Sequence, residues 1–575
     1  MDYYKLMVPS QLMSERGSDV VVINPGSRNL RVGLASNQSP LVVPHFIAWR
    51  INTEHEETTG PNLKGAVGED KFGKGSTGAG RLAEREECLQ QIETELGLQP
   101  ASKEDGRGWA KKLDTLETFD GDSQDKQFVW TDVNVEEGDG SNSTHKFKCG
   151  AEALKIPSKK PYRLRRPICR GRFNVSEHYS FQQVCDDICT IWDWALTEKL
   201  GLHVKQRQQL SAVLVVPDTL DSREIKELLT IVLRDLQFSS AVIHQESVAV
   251  TFGTGASSGC VVNIGAQVTS VICVEEGVAL PSTRVILPFG GEDISRCLLW
   301  LEQKLKYWPP VDCKPLSNPV DLLLLEQLKE RHCCIEDGDH RACVELEFHT
   351  FGSQSQMYRV ILPELNVPPV GLFFPVLLAP EEYAPLPRPW YHTDSEEIIL
   401  DDAIHVDTVR RPDIYETGLS FGSHGLLSDH LEQSMYGIVR QSKSKSEENL
   451  VGLAEAIVNS ILLSGRIDIQ KKLFSSIQLA GGSAMISGLI DAVEERVLQA
   501  IPVHESIDTV EVLPPRMETG MVGWKGGAIV AVLDFTRDTW VQREDWVGGG
   551  LRVGSGRKYK DSFFLQTHTF WYTSS

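Results

Sequence analysis

The sequence predicts a duplicated α/β protein, with two lobes facing each other across a central cleft and two large insertions. Three observations carry this expectation. Apolar, β-branched runs alternate with amphipathic stretches along most of the chain, the pattern of sheets flanked by helices rather than of a bundle or a sandwich. A strand, Gly-containing turn and second strand occur twice, at residues 20–34 and 261–273, each with an Asn ending the first strand and a Gly two positions later. Two such hairpins in order, each opening one half of a chain, mark an internal duplication with a site between the copies. The length of 575 residues also exceeds what one compact core accommodates.

The most regular elements precede the second hairpin. Residues 213–216 read as a buried strand stopped by Pro217, 221–236 as a helix, 241–243 as a strand, 246–252 as a helix, and 321–334 as a later helix. Residues 51–146 are rich in Gly, Glu, Asp and Lys with few β-branched clusters, and read as a low-order insertion in the first lobe. Residues 379–449 carry Pro, acidic pairs such as Asp401 and Asp402, and a Ser/Lys tract at 441–446, which makes a second insertion, in the second lobe. The expected division is 18–50 and 147–253 for the inner part of the first lobe and 254–378 and 450–521 for the second. Residues 522–575 return to the first lobe and end in a Gly-rich, then aromatic tail.

Composition narrows the function. No apolar run approaches the roughly 18 residues of a membrane helix, and no basic-then-apolar leader opens the chain, so a cytosolic or nuclear protein without a membrane partner is expected. The twelve cysteines are scattered, with only Cys333 and Cys334 adjacent, and read as reduced core thiols. Cys185 and Cys189 lie one helical turn apart, yet packing explains them better than a metal, and no metal site is expected. A formal charge of -21 opposes non-specific nucleic-acid binding. One segment runs the other way: Lys155, Lys159, Lys160, Arg163, Arg165, Arg166, Arg170 and Arg172 crowd together, as a nuclear-import signal, a nucleic-acid contact or a solvated connecting loop.

The hairpins carry the chemistry. A turn containing Gly26 and Ser27 aims backbone N–H groups inward and suits a phosphate, with Arg31 on the next strand in reach of the same anion. Hydrolysis of a nucleotide also needs carboxylates to hold a magnesium shell and align water. The strand ends offer Asn24 and Asn263, which are neutral, and no carboxylate at those spacings replaces them.

At these residues the sequence resembles the actin and actin-related family, in order over nearly the whole chain outside the insertions. The first hairpin resembles actin's Asp-Asn-Gly-Ser-Gly loop and its following Lys, with Asn24 in the Asp position, Gly26 and Ser27 kept, and Arg31 for the Lys. The second resembles Asp-Ser-Gly-Asp-Gly-Val-Thr, with Asn263 and Ala266 in the two Asp positions and Gly265, Val268 and Thr269 kept. Glu246 stands where actin has the Gln beside the attacking water. Lys329 and Glu330 resemble the pair that contacts ribose and base, residues 290–293 the Gly-Arg-Asp turn, and Gly481, Gly482 and Ser483 the adenosine loop, whereas Ile486 replaces a Tyr and Gly520 a base-stacking Lys. The most specific match is Gly523-Trp524-Lys525-Gly526-Gly527-Ala528 followed by residues 538–546, similar to actin's Trp-Ile-Gly-Gly-Ser and Met-Trp-Ile-Ser-Lys-Gln-Glu-Tyr. Within the family the sequence resembles the group of actin-related protein 8 and divergent plant relatives.

The resemblance implies an actin-like fold and a non-catalytic scaffold subunit of a chromatin-remodelling complex in the nucleus, the cytoplasm being the other compartment open to it. Its implied partners are a helix of a remodelling ATPase and actin or another actin-related protein, with nucleosome or DNA contact through the basic stretch. ATP would be bound weakly or without turnover, with magnesium in doubt. Three competing readings are a hydrolysing or filament-forming actin relative, a free-standing nucleotide-binding protein with a cytoskeletal or other non-chromatin role, and a sugar kinase or chaperone ATPase of the wider superfamily.

Overall fold

A computed structural model describes residues 10–51, 78–98, 111–113, 128–133, 146–315, 318–352, 355–379, 451–503, 507–533 and 540–547. Two sheets organise them. The first runs Val541–Gln542, Ser240–Gln245, Ser211–Val216, Val20–Pro25, Asn29–Leu34, Leu41–Pro44, parallel at its three central strands and antiparallel elsewhere. Every residue of Val20–Pro25 is buried, as the apolar run of residues 20–23 requires of a strand covered on both faces. The second runs Val278–Ala279, Thr269–Glu275, Gly259–Ile264, Ile477–Ala480, with Val285–Leu287 on the far side of Thr269–Glu275.

The two hairpins occupy the same place in each sheet. Val20–Pro25 pairs antiparallel with its hairpin partner and parallel with Ser211–Val216; Gly259–Ile264 pairs antiparallel with its partner and parallel with Ile477–Ala480. In this register Asn24 faces Arg31 and Asn263 faces Ser270.

Helices Glu246–Thr254 and Val522–Val532 lie between the sheets. Ala249, Trp524 and Ala528 pack against Val22, Val213 and Val242 of the first sheet, while Val248, Val250 and Val522 pack against Val261, Ile272 and Val274 of the second. Trp524 is fully buried and donates its indole N–H to the Val22 carbonyl at 3.1 Å. The Gly-Gly pair has a steric reason: a methyl on Gly526 would strike the backbone of Ala249, so only glycine lets the two helices approach this closely.

The first insertion is not uniformly low in order, which corrects the reading of 51–146. It contains the helix Gly78–Glu95, whose Leu89 and Ile92, with Leu96 and Leu98 just beyond it, enter the core built on the second sheet beside Val262, Phe289 and Leu301. Arg85 donates to the Leu377 carbonyl at 2.8 Å and lies 3.8 Å over the Trp300 ring. Lys111–Leu113 then forms the edge of a small sheet with Ala342–Phe348 and Gln356–Leu362. The signal was masked because the apolar stripe is narrow and its charged flanks dominate any windowed average.

Cys185 and Cys189 sit on Phe181–Trp194 against the first core, as core thiols should, whereas Cys343 is exposed. Among the described residues no helix is long and apolar enough to cross a membrane. Residues 380–450, 538–539 and the tail from 548 lie outside the described residues.

Candidate functional site

The tips of the two hairpins face each other across a cavity of about 540 Å³, within the several hundred Å³ usual for small-molecule sites. Their turns are built alike. Gly26 N–H donates to Asn29 O at 2.9 Å and Gly265 N–H to Val268 O at 3.0 Å, and a Cβ on either glycine would lie 2.9 Å from that same carbonyl. Of the residues singled out in the sequence, Gly26, Ser27, Arg31, Gly265, Lys329, Glu330, Gly481, Gly482 and Ser483 all line this cavity. Thr269 does not. It is fully buried and donates to Phe289 O at 3.0 Å, so it fastens the second hairpin to its neighbour instead of facing the cavity.

Glu246, which stands by resemblance at the position beside the attacking water, lies at the centre of the site. Its carboxylate lies between the hairpins and accepts from Asn24 Nδ2 at 3.2 Å and Asn263 Nδ2 at 2.8 Å. Asn24 also donates to Val215 O at 3.0 Å. Asp218 lies close by and accepts from Ser247 N–H at 3.1 Å and Ser247 Oγ at 2.8 Å. Burial and the neighbouring Asp218 charge push the Glu246 carboxyl up, while Arg31 and the two amides pull it down; the net direction is upward. No carboxylate takes the two Asn positions themselves, but two stand close to them from elements outside the hairpins, one of them held by both asparagines. Arg31 reaches from the first hairpin towards Gly520 on the other wall, with Nη2 3.5 Å from where a Gly520 Cβ would sit.

A second layer fixes the first hairpin. Trp192 Nε1–H donates to His45 Nε2 at 3.2 Å, which leaves the ring proton on Nδ1 to donate to Gly26 O at 3.0 Å. Burial drives His45 down to about 4, so it serves as a neutral strut.

The other wall is held by polar locks. Lys329 is buried and donates to Gly291 O at 2.9 Å. Gly481 has φ +90°, and a Cβ there would lie 2.8 Å from Asn263 Oδ1, so the loop 481–483 needs glycine to approach the second hairpin. Thr519 Oγ1 donates back to Gly481 O at 2.8 Å.

Four arginines of the basic stretch turn inward, so the stretch is not wholly the solvated connecting loop that was one of its three readings. Arg166 makes a two-point contact with Glu292 at 2.6 and 3.1 Å and donates to Ser27 O at 2.6 Å. Arg165 pairs with Asp187 at 3.6 Å, Arg170 with Asp293 at 3.7 Å, and Arg172 with Asp221 at 2.5 Å and Glu224 at 2.8 Å. Arg28 of the first turn pairs with Glu326 across the cavity. None of these partners is a sequence neighbour, so spacing gave no sign of them.

The donor set suits a phosphate chain and a nucleoside, with backbone amides at two glycine turns, Arg31 and a small-residue loop at 481–483. It suits a magnesium shell less well. Asn24 and Asn263 carry no charge, and Glu246 is already engaged by both of them.

The actin family model matches residues 16–555. The chain is 42% identical to actin-related protein 9 of Arabidopsis thaliana, over 99% of this chain and 97% of that one. It is 29% identical to actin-related protein 8 of Bos taurus, over 93% and 91%. Among solved structures it is similar to human actin-related protein Arp8 in its ATP-bound state, with a TM-score of 0.72, 26% identity and 98% of each chain covered. With its matched length, its paired hairpins and the cavity between them, the chain belongs to the actin family.

Proposed function

We propose that this chain is a non-catalytic scaffold subunit of a chromatin-remodelling complex that holds ATP between its two halves without turning it over. The observation that carries the reading is the inverted polarity of the cavity floor. Where actin, by the resemblance above, has acid, amide and acid, this chain has Asn24, Glu246 and Asn263 joined by hydrogen bonds. Two charges that would hold a hydrated cation are replaced by one, and that one is buried and tied to two amides. Losing aligning groups of this kind typically costs two or more orders of magnitude in rate. Gly26, Ser27, Arg31, Gly265, Lys329, Glu330, Gly481, Gly482 and Ser483 are the residues we assign to nucleotide contact.

The likeness to actin-related proteins 8 and 9 supports a nuclear assembly role. The division into lobes at 18–50 with 147–253 and 254–378 with 450–521 belongs to the same proposal. With four arginines engaged internally, a surface role for the basic stretch falls to Lys155, Lys159, Lys160 and Arg163.

Thermal-shift titration with ATP, with and without magnesium, tests the clasp. Stabilisation that needs no magnesium, with no phosphate release over hours, is expected, and no response at millimolar ATP ends it. Purification of the tagged protein from nuclear extract tests the scaffold. Recovery of a remodelling ATPase with actin or another actin-related protein supports it; recovery of the folded chain alone favours the free-standing reading.

A further inference from the structure

We propose that the turn following the helix Pro319–His332 is a binding site for a transition-metal ion of the zinc class, held by Cys334, Glu336 and His340. One ligand atom from each of these residues lies within 4.8 Å of the others. In a tetrahedral zinc site, bond lengths of about 2.0 to 2.3 Å place ligand atoms roughly 3.3 to 3.8 Å apart, a difference that small side-chain rotations close. A thiolate, an imidazole and a carboxylate form a donor set that zinc prefers and that magnesium and calcium, which take oxygen ligands, do not. Cys334, Glu336 and Ser487 also line the nucleotide cavity, whereas His340 does not.

The positions of the donors suit one ion. His340 Nε2 lies 3.9 Å from Glu336 Oε2 and 3.2 Å from the Asp337 carbonyl oxygen. As it stands Nε2–H donates to that carbonyl; an ion between them would require the ring proton on Nδ1, freeing the Nε2 lone pair and leaving the carbonyl as a fourth donor. The other carboxylate oxygen, Glu336 Oε1, accepts from Ser487 Oγ at 3.1 Å, the outer-shell support that metal-binding carboxylates usually have.

The turn is held from outside the cluster. Asn366, fully buried, donates to Glu336 O at 2.8 Å and Gly338 O at 2.9 Å. Ile335 N–H donates to Ser487 O at 2.7 Å and Leu365 N–H to His340 O at 3.1 Å. Gly338, at φ +96°, makes the reversal that returns His340 towards Cys334. The ligands are therefore carried on a backbone that four separate contacts fix before any ion arrives, so little ordering remains for binding to supply.

Titration of the full-length, untagged, reduced protein with Co²⁺, followed by competition with Zn²⁺, tests this. One Co²⁺ per chain with a thiolate-to-cobalt charge-transfer band is expected, and Zn²⁺ should abolish the band. Cys334→Ser should remove the band, His340→Ala should weaken binding at least tenfold, and Ser487→Ala about tenfold, as outer-shell changes do. Cys343→Ser is the control, because Cys343 is the exposed thiol among the described residues. Absence of a stoichiometric band, or a band that survives Cys334→Ser and disappears with Cys343→Ser, overturns the proposal. If Cys334→Ser fails to fold, His340→Ala and Glu336→Gln decide the matter through the Zn²⁺ affinity alone. None of these readouts depends on nucleotide.

Discussion

Asn24, Glu246 and Asn263 show how charge placement, rather than shape, separates this cavity from one built for hydrolysis. Converting Asn24 and Asn263 to Asp alone would set two new buried carboxylates against Glu246, with Arg31 the nearest compensating charge, and should lower the melting temperature. Adding Glu246→Gln restores acid, amide and acid. The triple variant should recover stability and gain an ATP stabilisation that requires magnesium; a magnesium-independent response like the parent's would show that charge is not what distinguishes the site. Glu302 provides a second residue-scale prediction. It is fully buried, neither carboxyl oxygen has a hydrogen-bond partner among the described residues, and burial with nearby Glu364 drives it up to about 9. A raised carboxyl favours folding below its unfolded value near 4.5, and that contribution is lost as pH rises towards 9. Glu302→Gln should therefore melt increasingly above the parent between pH 5 and 9, by the equivalent of a few kcal/mol at pH 8. The glycines and asparagines of the hairpins were legible because each turn is local. The resemblance put Glu246 beside the site, but its bonds to both asparagines and the approach of Asp218 were not seen, since they depend on a helix start docking between two sheets.

Helix packing and the inserted segment set the limits of what was legible among the elements. Residues 523–528 stood out in the sequence, but their reason is tertiary: Gly526 lies against the Ala249 backbone where the two central helices cross. Gly526→Ala should cost roughly 1–3 kcal/mol or more, because backbone cannot yield as a side chain can, and urea denaturation would measure it. The insertion is the clearer failure of sequence reading, since its average composition hid a helix and a strand that dock on the second half of the molecule. A further piece of it, residues 128–133, ties the halves together. Phe128 stacks on His349 at 4.0 Å and Trp130 meets the edge of Phe351 at 6.0 Å, while Thr131 donates to Lys155 O at 3.1 Å and Glu152 O at 2.6 Å. Separating the halves requires breaking this aromatic strap. Phe128→Ala with Trp130→Ala should speed release of a fluorescent ATP analogue several-fold while leaving the hairpins intact; unchanged release would show that the strap does not limit opening.

Across the whole molecule, two arginines of the stretch that looked like a surface signal, together with Arg28 of the first turn, act as ties between the two halves. Arg28, Arg166 and Arg170 come from the first half of the chain, and Glu326, Glu292 and Asp293 from the second. A buried charge pair is weak evidence for net stability, yet removing one partner strands the other, typically at 3–5 kcal/mol. Arg166→Met should fall in that range, because Glu292 is buried and Arg166 is only 14% exposed. Arg166→Met with Glu292→Met should recover part of the loss, which a double-mutant cycle would measure as coupling. The same pair should govern acid stability. Against burial, which raises it, the Arg166 charge and hydrogen bonds hold Glu292 down at about 2. A lowered carboxyl contributes stability that is complete above about 4.5 and disappears as pH falls towards 2. The parent should therefore lose stability steeply in that window and the double-Met variant less so. Equal acid slopes in the two proteins would mean that the halves are held by apolar contacts and the strap, with the arginines serving only to position Ser27 and the first hairpin.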